Sequence, residues 1–172
     1  MSTSVIAETY LLLGTNQGNR MELLDRALMG ITQKIGDISK SSSVYETAAW
    51  GNENQPNYLN QAVLVFTRLL PFQLLKTINA IEKGLGRERS IKWGSRPIDI
   101  DILWYADQII DKPNLQIPHP HLPNRKFALI PLQEIAPTLV HPVFKKTITE
   151  LLQHTPDCLP VHLYKTDTYE QD

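Results

Sequence analysis

The chain has 172 residues, a length that fits one domain and can bury a real core without disulfide or metal staples. With 42% hydrophobic and 20% charged residues and a formal net charge of −1, its composition is that of an ordinary soluble globular protein, with no overall attraction to nucleic acid or a membrane surface. The single cysteine, Cys158, excludes an internal disulfide, residues 1–7 lack the pattern of a secretory signal, and no apolar stretch is long enough to span a bilayer, so a cytoplasmic setting is expected.

Residues 6–13 read as a short apolar strand ended by Gly14, and Gly14-Thr-Asn-Gln-Gly18 as a turn. A helix is predicted over 20–34, where Leu23, Leu24, Ala27, Leu28 and Ile31 recur at helical spacing, with Gly36 as its stop. Residues 38–46 form a second, more polar strand, 50–57 a loop, and 59–69 a long strand rich in Val, Leu and Phe. Pro71 opens a second helix striped by Leu74, Leu75, Ile78 and Ile81, which Gly84 and Gly86 end. A basic loop over 87–97 leads to a strand at 98–105. Proline-rich residues 109–123 read as irregular, 127–134 and 148–153 as short helices, and 165–172 as a loose tail of a single domain spanning 1–172. The order strand, helix, strand, strand, helix, strand matches an α+β, ferredoxin-like split β-α-β plan with an antiparallel sheet and additional C-terminal elements.

In Ile98-Asp99-Ile100-Asp101-Ile102-Leu103-Trp104, strand alternation turns the isoleucines and Trp104 into the core and both aspartates to the other face. Two neighbouring carboxylates repel unless a cation lies between them. A divalent metal satisfies them, and magnesium in particular takes one or two carboxylates plus substrate phosphates. Pairing with nearby arginines satisfies them equally well. Arg87, Arg89, Lys92 and Arg96 just upstream favour a bound phosphate chain, because guanidinium forks match phosphate oxygens. In that glycine-flanked loop, Trp93 can exclude water.

Tyr58 and Asn60 share one strand face, where a ring can stack on a flat heterocycle and an amide can read its edge; an ordinary strand start is the plainer alternative. In Pro118-His119-Pro120-His121, the prolines disfavour a two-histidine metal site. His119 reads instead as a hydrogen-bond donor to phosphate, and Arg125 as a further anion contact. His141 and His154 read as structural or solvated. Neither a G-x-x-x-x-G-K-[ST] nor a strand-linked G-x-G-x-x-G phosphate cradle is present. Another magnesium-dependent nucleotide enzyme would keep the acids without Tyr58 and Asn60; an RNA-binding module of this fold conflicts with the acidic face.

Together, Arg87-x-Arg89, Trp93-Gly-x-Arg96-Pro-Ile-Asp99-Ile-Asp101-Ile102 and Pro118-His119-Pro120, followed by Asn124-Arg125, closely resemble the 6-hydroxymethyl-7,8-dihydropterin pyrophosphokinase family of folate biosynthesis. Gly14-x-Asn16, Tyr45-x-Thr47 and Gln55-Pro-x-Tyr58-x-Asn60 extend the resemblance over roughly 10–140. It implies transfer of the pyrophosphoryl unit of ATP to the pterin hydroxymethyl group, with two Mg2+ ions bridged by Asp99 and Asp101. It places the pterin between Tyr58 and Phe127, near Trp50, read by Asn60 and the backbone at Thr47 and Ala48. It assigns Glu82, Arg87, Arg89, Trp93, Arg96, Ile102, His119 and Arg125 to the ATP path, with Arg87 and Arg96 stabilising charge during transfer. The expected partners are these two small molecules, with no nucleic acid or membrane, and the chain is expected to be a monomer. Ala48 stands where proline is common, Trp50 where a smaller apolar residue is common, and Pro120 where some members carry an aromatic.

Overall fold

A computed structural model describes residues 5–49, 54–86 and 97–165. The predicted site positions Trp50, Arg87, Arg89, Trp93 and Arg96 lie outside the described residues, as do Lys92 and most of the predicted tail.

Strand β1 (Ala7–Thr15) carries the run Tyr10-Leu-Leu-Leu13, all of it buried. A strand apolar on both faces must be covered on both, and this one is. Leu11 and Leu13 pack into one core, Tyr10 and Leu12 into another. The strand does not end at Gly14 as expected but continues through it, because Gly14 has a partner on either side. Helix α1 (Arg20–Lys34) coincides with the predicted span. Asn19 Oδ1 accepts the Glu22 N–H at 3.1 Å to cap its start, and Leu24, Ala27 and Ile31 supply the buried stripe. Gly36 begins a strand immediately after the helix, and a Cβ there would overlap the Phe66 carbonyl, so only glycine allows the approach.

The single strand expected at 38–46 is two pieces of one edge, β2 (Gly36–Ser41) and β3 (Tyr45–Thr47). Both pair with β4 (Tyr58–Thr67). Ser42 spans the break: its N–H donates to Ala62 O at 2.8 Å and its hydroxyl accepts the Ala62 N–H at 2.9 Å. Helix α2 (Pro71–Gly84) starts on the predicted proline. Strand β5 (Asp99–Tyr105) returns beside β1, giving the order β5-β1-β4 and then the β2/β3 edge, the ferredoxin-like arrangement.

A register shift between Tyr10 and Leu11 leaves Leu103 as an extra residue in β5. The bulge reverses the alternation. Ile98, Ile100 and Ile102 face α1 and α2, whereas Trp104 belongs to the opposite core, correcting the expectation that all four share a face. That second core is closed by helices α3 (Lys126–Ile135) and α4 (Ile148–His154), the C-terminal additions. Two further strand sets correct the sequence reading. Residues expected to be irregular contain a hairpin, β6 (Ile110–Lys112) and β7 (Leu115–Ile117), and β8 (Val161–Leu163) adds to the sheet beside β3. No helix among the described residues is long and apolar enough to cross a membrane.

Candidate active site

Gly14 is the centre of the site. Its cross-strand partners are Asn60 on β4 and Asp99 on β5, so the three lie in one row on one face. The next row is Ala62, Leu12 and Asp101. Two strand spacings separate the Asn60 and Asp99 backbones by about 10 Å. A Cβ on Gly14 would stand 3.0 Å from Asn60 Oδ1, so the floor between amide and acids stays clear only because the residue is glycine. Asp99 and Asp101 are half-buried beside that floor, while the alternating isoleucines are buried on the reverse face.

Above the floor is a cavity of about 560 Å³. Of the six predicted pterin residues, Thr47, Ala48, Tyr58, Asn60 and Phe127 line it; Trp50 is not described. Asn60 is 3% exposed, and its Nδ2 donates to Thr47 Oγ1 at 3.1 Å, which locks the amide across the β3–β4 pair. Both aspartates and Arg125 also line the cavity. The Arg125 guanidinium stands 5.7 Å above the Phe127 ring, which holds cation and aromatic on one wall.

The other ATP-path residues are placed differently. Glu82 is buried on α2 behind β5, with Oε2 accepting the Ile100 N–H at 3.1 Å, and the Ile102 side chain packs in the core on the α1/α2 side. Neither side chain lines the cavity. His119 does not line it, whereas His121, two residues on, does. The His119 N–H donates to Leu103 O at 3.0 Å, anchoring the loop to β5. Burial foremost, with Arg125 and His121 nearby, pushes the His119 pKa down to about 4, so the imidazole is neutral at pH 7. Its Nδ1 accepts the His121 N–H at 3.2 Å, which assigns the ring proton to Nε2 and makes that atom a donor. His141 is structural: it is buried, and its Nδ1 accepts the Val143 and Phe144 N–H groups. His154 is exposed.

Sequence reasoning missed the wall formed by the C-terminal segment. Asp157, Leu159 and Val161 line the cavity. Asp157 uses both oxygens: Oδ2 accepts the Lys126 N–H at the start of α3 and Oδ1 accepts the Leu159 N–H, each at 2.9 Å. A local signal for this did not exist, because the carboxylate caps a helix start about thirty residues upstream.

Fold and site together define a class: a ferredoxin-like α+β domain whose open sheet face carries an acid pair next to an aromatic–amide pocket. The family model described as 7,8-dihydro-6-hydroxymethylpterin-pyrophosphokinase (HPPK) matches residues 10–137. The chain is 44% identical over 145 residues to the 2-amino-4-hydroxy-6-hydroxymethyldihydropteridine pyrophosphokinase of Aquifex aeolicus, covering 84% of this chain and 90% of that protein. It is 39% identical over 149 residues to the Haemophilus influenzae protein of the same name, covering 86% and 92%. Among solved structures, wild-type Plasmodium falciparum HPPK-DHPS with SDX-DHP superposes with a TM-score of 0.70 at 21% identity, a likeness of fold. The match covers 86% of this chain and 43% of that longer one, so this chain spans less than half of it. The chain belongs to the HPPK family.

Proposed function

We propose that this chain transfers the pyrophosphoryl group of ATP to the hydroxymethyl oxygen of 6-hydroxymethyl-7,8-dihydropterin, releasing AMP, as a step in tetrahydrofolate biosynthesis. The observation that carries this reading is the row Asn60–Gly14–Asp99, which sets a heterocycle-reading amide about two strand spacings from an acid pair across an open floor. In the proposed pose the pterin lies between Tyr58 and Phe127, with Asn60 and the Thr47–Ala48 backbone along its edge and its hydroxymethyl group toward the aspartates. The pterin oxygen forms a bond to the β-phosphorus as the bond from that phosphorus to the oxygen bridging the α-phosphate breaks. AMP departs with that oxygen, and the hydroxyl proton is released.

Asp99 and Asp101 would hold two Mg2+ ions. The donor set fits: there are two carboxylates at alternate positions of one strand, half-buried and lining the cavity. The remaining ligands would be phosphate oxygens and water, the coordination that magnesium favours. When bound, the ions neutralise phosphate charge and acidify the attacking hydroxyl. This chain's own residues bind and orient. Arg125 meets the phosphate chain, and neutral His119 offers its Nε2 proton to a phosphate oxygen without adding charge. Glu82 steadies β5 through Ile100, and Ile102 can reach nucleotide only through its backbone. From outside the described residues, Arg87, Arg89, Trp93 and Arg96 complete the ATP path, and Trp50 the pterin wall. We read 1–172 as one cytoplasmic, monomeric domain without nucleic-acid or membrane partners; the free thiol of Cys158 suits a reducing compartment.

The test is incubation with Mg-ATP and the hydroxymethyl pterin, with nucleotides separated afterwards. AMP stoichiometric with the pterin diphosphate is expected. ADP as the product would rule the reading out in favour of single phosphoryl transfer.

A further inference from the structure

We propose that Arg20 is a positioning residue for the pterin pocket, acting from outside it on both ends of the β3–β4 connection. The inference rests on the pterin reading above. Arg20 is the first residue of α1, where a cation opposes the helix dipole, so its placement there needs a tertiary reason. That reason is on the sheet edge. Its Nη1 donates to Glu46 Oε2 at 2.7 Å and to the Asn57 carbonyl at 2.9 Å, and its guanidinium stands 5.5 Å above the Tyr164 ring. The ion pair is partly shielded, with side chains 23% and 29% exposed.

Each partner adjoins the pocket. Glu46 precedes Thr47, Asn57 precedes Tyr58, and Tyr164 follows β8, whose Val161 is a cavity wall. Glu46 and Thr47 are successive strand residues, so the pull on Glu46 comes from behind the face on which Thr47 meets Asn60. One nitrogen thus ties the last strand residues before the connection to the first after it. Tyr58 and Thr47, paired across β3 and β4, are held in register by it. A guanidinium serving only to pin α1 to the sheet would act on stability alone. One that sets the Tyr58–Thr47 spacing acts on the pterin and leaves ATP untouched.

The experiment is steady-state AMP formation by Arg20→Met, Arg20→Lys, Glu46→Gln and Asn60→Ala, with thermal unfolding of each. Arg20→Met is expected to raise the pterin KM about tenfold, with the ATP KM and kcat within about twofold. Arg20→Lys is expected to recover most of that loss, since an ammonium also has donors for both oxygens. Glu46→Gln falls between. A pterin KM within about twofold of the parent in folded Arg20→Met, or equal rises for both substrates, overturns the proposal. Should Arg20→Met not fold, Glu46→Gln decides: a selective rise in pterin KM supports the role, and no rise overturns it. Asn60→Ala separates the two layers. If it leaves the pterin KM unchanged, the pocket assignment itself is wrong; if it raises the KM while Arg20→Met does not, the pocket stands and the role of Arg20 falls.

Discussion

One face of the sheet is finished in two different ways along the same strands. In its closed half, Tyr10, Leu64, Leu103 and Trp104 are sealed beneath α3 and α4. A few ångströms along β1, β4 and β5, the residues are Gly14, Asn60 and Asp99, and the face is left open as a cavity. The β1–β4 ladder is continuous through both halves, and the β1–β5 ladder carries its extra residue, Leu103, in the closed half. The closed half supplies stability by apolar burial. The open half carries polar groups that a fully packed core would leave unsatisfied. Substitutions in the two halves therefore separate activity from stability.

The largest expected effect is in the open half. Asp101→Ala should lower AMP formation by roughly a thousandfold or more, about 4 kcal/mol of transition-state stabilisation, with little change in unfolding temperature. Near-normal turnover at saturating magnesium would remove the metal assignment. The converse result is expected of Leu129→Ala in the closed half. Leu129 is fully buried, and its truncation should cost about 2–5 kcal/mol in denaturant unfolding, with kcat largely kept while the protein is folded. A loss of kcat with unchanged stability would blur the division.

Gly14→Ala probes the floor of the open half. The added methyl would meet Asn60 Oδ1 at 3.0 Å, so the amide must give way. A rise of about tenfold in pterin KM is expected, equivalent to about 1.4 kcal/mol, with a small stability change. An unchanged pterin KM would mean that the floor does not need to be bare.

A separate effect is in pH. Because burial holds the His119 pKa down at about 4, the unfolded chain binds more protons than the folded one between about 6.5 and 4. Stability is thus full above about pH 6.5 and is lost as pH falls through the folded value. His119→Gln should flatten that part of the stability–pH curve, and an equally steep fall in the variant would assign the dependence to other groups.

The largest elements were legible because their signals are local. Apolar spacing, Gly36 and Pro71 mark α1 and α2. Strand alternation alone is enough to put Asp99 and Asp101 together on one face, and Tyr58 with Asn60 on another stretch of strand. The C-terminal wall was not legible. Strand β8 is three residues long with two of them exposed, and it exists because β3 offers it an edge.

By itself, then, the sequence determined that Asp99 and Asp101 share one face of β5, that Tyr58 and Asn60 share one face of β4, and where the two long helices begin and end, since these depend on contacts a few residues apart. The tertiary structure decided how those strands line up. It set Gly14 between Asn60 and Asp99, sent Trp104 away from the isoleucines through one extra residue in β5, and brought Asp157 to the start of α3. Register and bulges are settled by pairing between strands far apart in the chain, so no window of sequence contains them.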